Sequence, residues 1–307
     1  MIYLDGNSLG PTPKAAFAEI ETAVRQEWAE GLIRRWNAED WFDLPQLYGD
    51  LLAPLIGPET AAMLVNHVDY RTGAVRDMAS LTRAAHDAGA VVIWDLCHSA
   101  GAMPVALNSC GADMAVGCTY KYLSGGPGAP AFLFCAGRNL PEIRQPLSGW
   151  WGHAAPFGCE TWFRPEAGIR RFLCGTQPIL SLRALNPVLH IFEAVDMVAL
   201  RAKSMALTGL FIELVEQSCA PFGLELASPR EATRRGNQVA FACAGDGAGG
   251  YPVMQALIAA GVIGDFRAPD ILRFGFAETC RAAEALHRIL ATGVWQAPEF
   301  QARQKVT

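Results

Sequence analysis

The 307-residue sequence is poor in positive charge and has no long apolar run. Its 25 lysines and arginines are outnumbered by 30 aspartates and glutamates, which gives a formal net charge of −5 at pH 7. This deficit disfavours binding to the phosphate backbone of a nucleic acid. No apolar stretch reaches the roughly 18 residues that a membrane-spanning helix needs, and the first residues lack the pattern of a secretory leader. We therefore expect a soluble, cytoplasmic protein without a nucleic-acid or membrane partner.

The sequence also lacks a CxxC pair, although it contains nine cysteines. An odd number of scattered cysteines, most of them inside apolar runs, is typical of reduced and buried thiols. A zinc site can be drawn from Cys97, His98, Cys110 and Cys118, but the spacing of these four residues matches no zinc-ligand pattern. We therefore expect free thiols and no metal site.

Lysine is scarce as well, since the chain has four, and only Lys121 follows an apolar strand pattern. Lys14, Lys203 and Lys305 occupy a helix start, a polar helix face and the terminal tail, which are ordinary solvated positions. Lys121 lies between two tyrosines and precedes a Gly/Pro-rich loop. A partly desolvated lysine can act as a nucleophile that forms a Schiff base. The alternative is a lysine whose stem packs on the strand end while its ammonium reaches solvent.

Strand and helix patterns alternate from residue 61 onward. Short apolar runs at residues 61–68, 90–96, 113–120 and 131–137 predict four buried strands, and residues 75–89 predict a helix between the first two. Strands that alternate with a crossover helix are typical of a parallel or mixed sheet covered on both faces. The sequence therefore predicts an α/β protein.

Polar residues follow two of these predicted strands. Because the carboxyl ends of parallel strands meet at one edge of a sheet, we expect Asp95, His98 and Lys121 to lie close together. Asp95 follows four apolar residues, and a buried carboxylate needs a cationic partner. The protonated pyridine nitrogen of pyridoxal phosphate would be such a partner and would keep the ring an electron sink. His98 would hydrogen-bond the cofactor or the substrate, or it is a buried structural histidine.

Several longer motifs, in this order along the chain, resemble those of one enzyme family. The motifs are YLDGNSLGPTP, VDYRTGAVRDM, WDLCHSAGAMPV, TYKYLSGGPGAPAFLF, SGWWGH, GTQPILSL and GVIGDFRAPDILRFGF. They are similar to the kynureninases, which are pyridoxal-phosphate enzymes of the type I, aspartate-aminotransferase-like fold. The resemblance implies hydrolysis of L-kynurenine, and of 3-hydroxykynurenine, to anthranilate or 3-hydroxyanthranilate and L-alanine. It also implies that the protein is a homodimer. The reaction would belong to tryptophan catabolism through the kynurenine pathway and to the biosynthesis of NAD and other pyridine nucleotides.

The resemblance also implies roles for the residues at the predicted strand ends. Lys121 would form the Schiff base with pyridoxal phosphate and later move the α-proton of the substrate. Asp95 would hold the pyridinium nitrogen, and His98 would lie beside the ring. Tyr120 would lie near the cofactor phosphate and is a candidate acid. Asn66 stands where the family usually has serine or threonine as a phosphate contact.

Further residues are assigned by the resemblance from outside this sheet. Trp150 and Thr176 would reach the cofactor phosphate of the neighbouring subunit, so the two subunits would share their active sites. Arg273 would bind the substrate carboxylate through two parallel hydrogen bonds, which suits a guanidinium group. Asn7 and Ser8 would also contact the substrate.

The resemblance predicts three parts of the chain and a missing stretch. Residues 1–56 would form an N-terminal helical segment that packs with the small domain, 57–195 a shortened cofactor-binding domain and 196–307 a small α+β domain. A helical pattern, interrupted at Pro187, would join the last two. Near residues 57–62 the chain lacks two to three strand-helix-strand units, each of roughly 30 residues, that would supply phosphate contacts. A catalytically impaired, dimerising protein and another type I enzyme, such as a cysteine desulfurase or an aminotransferase, remain alternatives.

Overall fold

A computed structural model describes residues 59–126, 128–243, 249–275 and 279–302 of the chain. The chain divides into two compact units, residues 1–52 and 53–307, and the described residues all belong to the second. In the described part of the chain, no helix is both long and apolar enough to cross a membrane.

The first sheet contains the four strands that the sequence predicts. Its order is β1-β2-β3-β4, with β1, β2 and β3 parallel and β4 antiparallel to β3. The strands are β1 (Ala62–Asn66), β2 (Val91–Asp95), β3 (Met114–Cys118) and β4 (Ala131–Cys135). The predicted α/β class with a mixed sheet is therefore confirmed. Because β1 to β3 run the same way, their carboxyl ends form one edge.

A single helix, α1 (Met78–Asp87), connects β1 to β2. It begins at Asp77, whose carboxylate accepts a hydrogen bond from the Ser80 backbone N–H at 3.1 Å. Its apolar side packs on the sheet, where Ala85, Val92 and Trp94 have no exposed surface. The Trp94 indole N–H donates to the Thr82 hydroxyl at 3.0 Å, so the polar end of this buried ring is satisfied. This packing holds the ends of β1 and β2 side by side.

The second sheet is antiparallel throughout and has the order β5-β6-β8-β7. Its strands are β5 (Leu224–Leu226), β6 (Gln238–Cys243), β7 (Asp265–Arg267) and β8 (Ile271–Gly275). The core of this sheet is apolar, and Phe211, Met254, Leu257, Leu272 and Leu286 are completely buried in it. The helices that supply this core are α3 (Met197–Cys219), α4 (Gly250–Ala259) and α5 (Thr279–Thr292). A short helix, α6 (Pro298–Gln301), follows α5.

The helix α2 (Ile179–Glu193) corrects one prediction, because it continues through Pro187. The helical pattern is interrupted instead between α2 and α3, at residues 194–196. The Asp196 carboxylate accepts hydrogen bonds from the backbone N–H groups of Val198 and Ala199, at 2.9 and 3.2 Å, and so begins a new helix. A proline inside a helix removes only one backbone hydrogen bond, whereas an N-cap residue satisfies the first backbone N–H groups of a new helix. The capping residue therefore decided the position of the break.

Candidate active site

The carboxyl edge of the first sheet and one face of the second sheet line a half-open cavity of about 300 Å³. Such a volume is at the small end of the range for ligand cavities. The side chains that line it are Asn66, Tyr70, Asp95, Cys97, His98, Lys121, Arg267 and Arg273. The structure thus brings together the predicted Asn66, Asp95, His98, Lys121 and Arg273.

Lys121 and His98 both line this cavity and are in direct contact with each other. The Lys121 Nζ lies 2.8 Å from the His98 Nε2. Burial of the imidazole, followed by the charges of Lys121 and Arg273, lowers the pKa of His98 to about 4. His98 is therefore neutral near pH 7, and in the tautomer that carries its proton on Nδ1 the Nε2 accepts a hydrogen bond from the Lys121 Nζ. Lys121 lies just after β3, near the carboxyl edge of the sheet. The contact with His98 orients its amine.

Asp95 ends β2, and its carboxylate is half-buried beside the cavity. One oxygen, Oδ1, accepts a hydrogen bond from the Cys97 backbone N–H at 2.7 Å. Among the described residues, no lysine, arginine or histidine forms an ion pair with Asp95. A carboxylate in this position suits a cationic ligand group such as a pyridinium nitrogen.

Arg273 approaches the cavity from β8, and its guanidinium already has two acceptors. One is the Tyr70 carbonyl oxygen, which accepts from Nη1, and the other is the Asp265 carboxylate, which accepts from Nη2. The Arg267 Nη2 lies 2.9 Å from the same carboxylate. Sequence reasoning assigned no role to Tyr70 or Arg267, and it assigned neither Cys97 nor Asp265 to this cavity. The available signal was the alternation of Asp265 and Arg267 along β7, which places both on one face of a strand.

Tyr120, Trp150 and Thr176 are predicted site residues that do not line this cavity, as described. Tyr120 is 53% exposed, and its ring centre lies 5.9 Å from the Lys121 Nζ. The neighbouring Cys118 raises the pKa of Tyr120, which keeps the phenol protonated near pH 7. Trp150 and Thr176 are exposed, and the backbone hydrogen bond from Trp151 N to Cys174 O, at 3.3 Å, holds their segments together. The segments that carry Trp150 and Thr176 therefore lie side by side within this chain.

Two other predicted residues, Asn7 and Ser8, lie outside the described residues. Asn66, the predicted phosphate contact, does line the cavity. Its Oδ1 accepts a hydrogen bond from the Arg76 Nε at 2.8 Å, so the side chain is held in one orientation.

The described cavity fits part of pyridoxal phosphate by the chemistry of its side chains. An amine, a carboxylate without a cationic partner and a neutral imidazole match the aldehyde, the pyridine nitrogen and the ring of that cofactor. A phosphate needs several charge-assisted hydrogen-bond donors. Among the described lining residues, Asn66 is the one that the resemblance assigns to the phosphate. The ring end of the cofactor is therefore better provided for than its phosphate end.

Comparison with known proteins identifies relatives of the whole chain. Residues 200–291 match a family model described as the kynureninase C-terminal domain. A kynureninase from Burkholderia mallei is 43% identical over 392 positions, which cover 100% of this chain and 93% of the relative. A kynureninase from Pseudomonas fluorescens is 40% identical over the same proportions of both chains.

A solved structure, a C-DES mutant with glycine covalently linked to the PLP cofactor, has the same fold. Its TM-score is 0.65 at 18% sequence identity, and the match covers 80% of this chain and 63% of that one. The type I fold predicted from the sequence is therefore confirmed.

The alignment with the Burkholderia relative also bears on the missing stretch. It spans 392 positions and covers all of this chain, which has 307 residues. About 85 aligned positions therefore have no residue here. This number agrees in size with two to three absent units of roughly 30 residues. With 43% identity over its whole length, the chain belongs to the kynureninase family of pyridoxal-phosphate enzymes.

Proposed function

We propose that this chain hydrolyses L-kynurenine to anthranilate and L-alanine, and 3-hydroxykynurenine to 3-hydroxyanthranilate and L-alanine. The observation that carries the proposal is the shared cavity of Lys121, His98, Asp95 and Arg273. These side chains supply an amine, a neutral imidazole, a carboxylate and a guanidinium to one half-open cavity. The relatives that are 40 and 43% identical to this chain are both named kynureninase.

Pyridoxal phosphate, when bound, would supply an electron sink for the negative charge on the substrate α-carbon. Lys121 would hold the cofactor aldehyde and move the α-proton at Nζ. His98 would orient that nitrogen through its Nε2, which lies 2.8 Å away. Asp95 would pair with the pyridinium nitrogen, and Arg273 would bind the substrate carboxylate. Tyr120, whose pKa is raised by Cys118, would keep its phenolic proton as a candidate acid.

The assay that tests this proposal is release of anthranilate, followed by its fluorescence after L-kynurenine is added to the cofactor-loaded protein. We expect anthranilate and L-alanine in equal amounts. L-Cysteine serves as the control substrate, since a cysteine desulfurase would release sulfide or persulfide from it. A folded protein that binds the cofactor and releases no anthranilate would contradict the proposal. It would favour the second candidate, an impaired dimerising protein, to which the roughly 85 missing positions point.

We also propose that the chain forms a cytoplasmic homodimer in which Trp150 and Thr176 face the partner's cofactor. Several large apolar side chains are exposed near these two residues along the chain, including Phe157, Trp162 and Leu180, which are 82, 84 and 87% exposed. Exposed apolar groups of this size are typical of an interface. All nine cysteines are free, which fits a reducing compartment.

The measurement for the dimer is molar mass by light scattering during size-exclusion chromatography. We expect about twice the chain mass for the protein and a shift toward the monomer for Leu180→Glu, because a charge cannot be buried unpaired in an apolar interface. Lys203→Glu, on the exposed face of α3, is the matched surface control. A monomeric wild-type chain would contradict this part of the proposal.

A further inference from the structure

Asp265, Arg267 and Arg273 form a compact charged cluster on one side of the cavity. In the antiparallel pair of β7 and β8, Asp265 is directly opposite Arg273. Arg267 is two residues further along β7 and so points to the same face of the sheet as Asp265. One carboxylate therefore serves two guanidinium groups, and both arginines line the cavity.

The two arginines differ in how firmly they are held. The Arg273 side chain is only 13% exposed, and the Tyr70 carbonyl fixes its other nitrogen. The Arg267 side chain is 45% exposed, and the ion pair to Asp265 is its described polar contact. A ligand carboxylate that binds Arg273 must therefore share it with Asp265 or displace Asp265. Arg267 is close enough to keep that carboxylate paired after it leaves Arg273.

We infer that Asp265 is an internal carboxylate that occupies Arg273 in the ligand-free site and that Arg267 retains it when a substrate carboxylate binds. The inference rests on the proposed function, since it concerns recognition of an α-amino acid by the same cavity. Asp265 and Arg267 are then positioning residues that determine carboxylate affinity. Neither has to touch the substrate.

The charge balance of the cluster supports this assignment. Two arginines and one aspartate leave one net positive charge, which a bound carboxylate neutralises. Removal of Asp265 removes the anion that competes for Arg273, so an external carboxylate should bind more tightly. Removal of Arg267 takes away the second guanidinium that can hold Asp265, so Asp265 should compete more strongly for Arg273 and an external carboxylate should bind more weakly. The two substitutions therefore act with opposite signs.

The test is a double-mutant cycle of Asp265→Asn and Arg267→Gln in the full cofactor-loaded chain. The dissociation constants of L-kynurenine and L-alanine are measured by calorimetry, and KM and kcat by anthranilate release. We expect D265N to lower the dissociation constant about tenfold and R267Q to raise it about tenfold, as charge-assisted hydrogen bonds of this kind imply. In the D265N background, R267Q should change the affinity by less than about twofold, because no competing carboxylate is left to retain.

Two controls make the cycle specific. Glu216→Gln removes the carboxylate from a different ion pair, the one between Glu216 and Arg230. This substitution should leave the dissociation constants unchanged. Decarboxylated L-kynurenine, which keeps the amine but lacks the carboxylate, is the second control. It should bind to all variants with equal affinity, since the cluster acts on the carboxylate alone.

Weaker binding in D265N would overturn the inference, because Asp265 would then simply support Arg273. An equal loss for R267Q in both backgrounds would also overturn it, since Arg267 would then contact the ligand directly. A chain that binds both amino acids but releases no anthranilate contradicts the proposed function and not the cluster. A chain that binds neither amino acid contradicts the cluster.

Discussion

Replacing Lys121 by alanine is expected to slow anthranilate release by at least about a thousandfold. Lys121 is the described lysine of the cavity, and its Nζ contacts the neutral His98 ring at 2.8 Å. No other amine is described among the lining residues that could hold the cofactor aldehyde or take up the α-proton. The measurement is kcat from anthranilate fluorescence, together with the visible absorption of the protein after addition of pyridoxal phosphate, which should be lost in the variant.

Two further variants serve as controls. One tests whether the positive charge of Lys121 is sufficient without its amine, and the other tests the effect of removing a lysine elsewhere. Lys121→Arg keeps a positive charge beside His98 but removes the nucleophilic amine, so it should be as inactive as Lys121→Ala. Lys203→Ala removes an exposed lysine from α3 and should retain full activity. Substantial activity in Lys121→Arg would show that charge suffices and would contradict the assigned role.

Insertion of the missing stretch is expected to strengthen binding of pyridoxal phosphate by at least about a hundredfold. The insert would be the roughly 85 residues of the Burkholderia relative that have no counterpart here, placed at the predicted junction, residues 57–62. Each charge-assisted hydrogen bond to the phosphate contributes roughly 1.5 to 3 kcal/mol, so two restored donors would account for this gain. The dissociation constant is measured by absorption or by quenching of tryptophan fluorescence.

The structure gives a second reason to expect a gain from this insertion. Strand β1 follows the predicted junction directly and is an edge of the first sheet among the described strands, and its Leu64 is 70% exposed. An exposed apolar edge strand is a site of aggregation, and a restored neighbour would cover it. The inserted chain should therefore also unfold at a higher temperature. A glycine/serine linker of equal length is the control, and an equal affinity for both insertions would contradict the prediction.

Much of the cavity could be predicted from the sequence because it depends on local patterns. Short apolar runs joined by a helix predict parallel strands, and parallel strands bring their carboxyl ends to one edge. This reasoning placed Asp95, His98 and Lys121 together before any contact was known, and the distance of 2.8 Å between Lys121 and His98 confirms it for that pair.

Other features depended on contacts between distant segments. The hydrogen bond from Arg273 to the Tyr70 carbonyl joins residues 203 positions apart. The sharing of Asp265 by Arg267 and Arg273 depends on the register of β7 against β8. The position of the break between α2 and α3 was decided by the Asp196 cap and not by Pro187.

The amino-acid order alone was therefore enough to predict the sheet edge that carries Lys121, since strand direction and residue spacing are local properties. Tertiary structure was needed to show that the arginine assigned to the substrate carboxylate already holds an internal carboxylate. The physical reason is that an ion pair requires charged groups within a few ångströms, and no spacing along the chain reports that distance across a sheet. The ion pair between Arg273 and Asp265 thus depends on the register of two short strands.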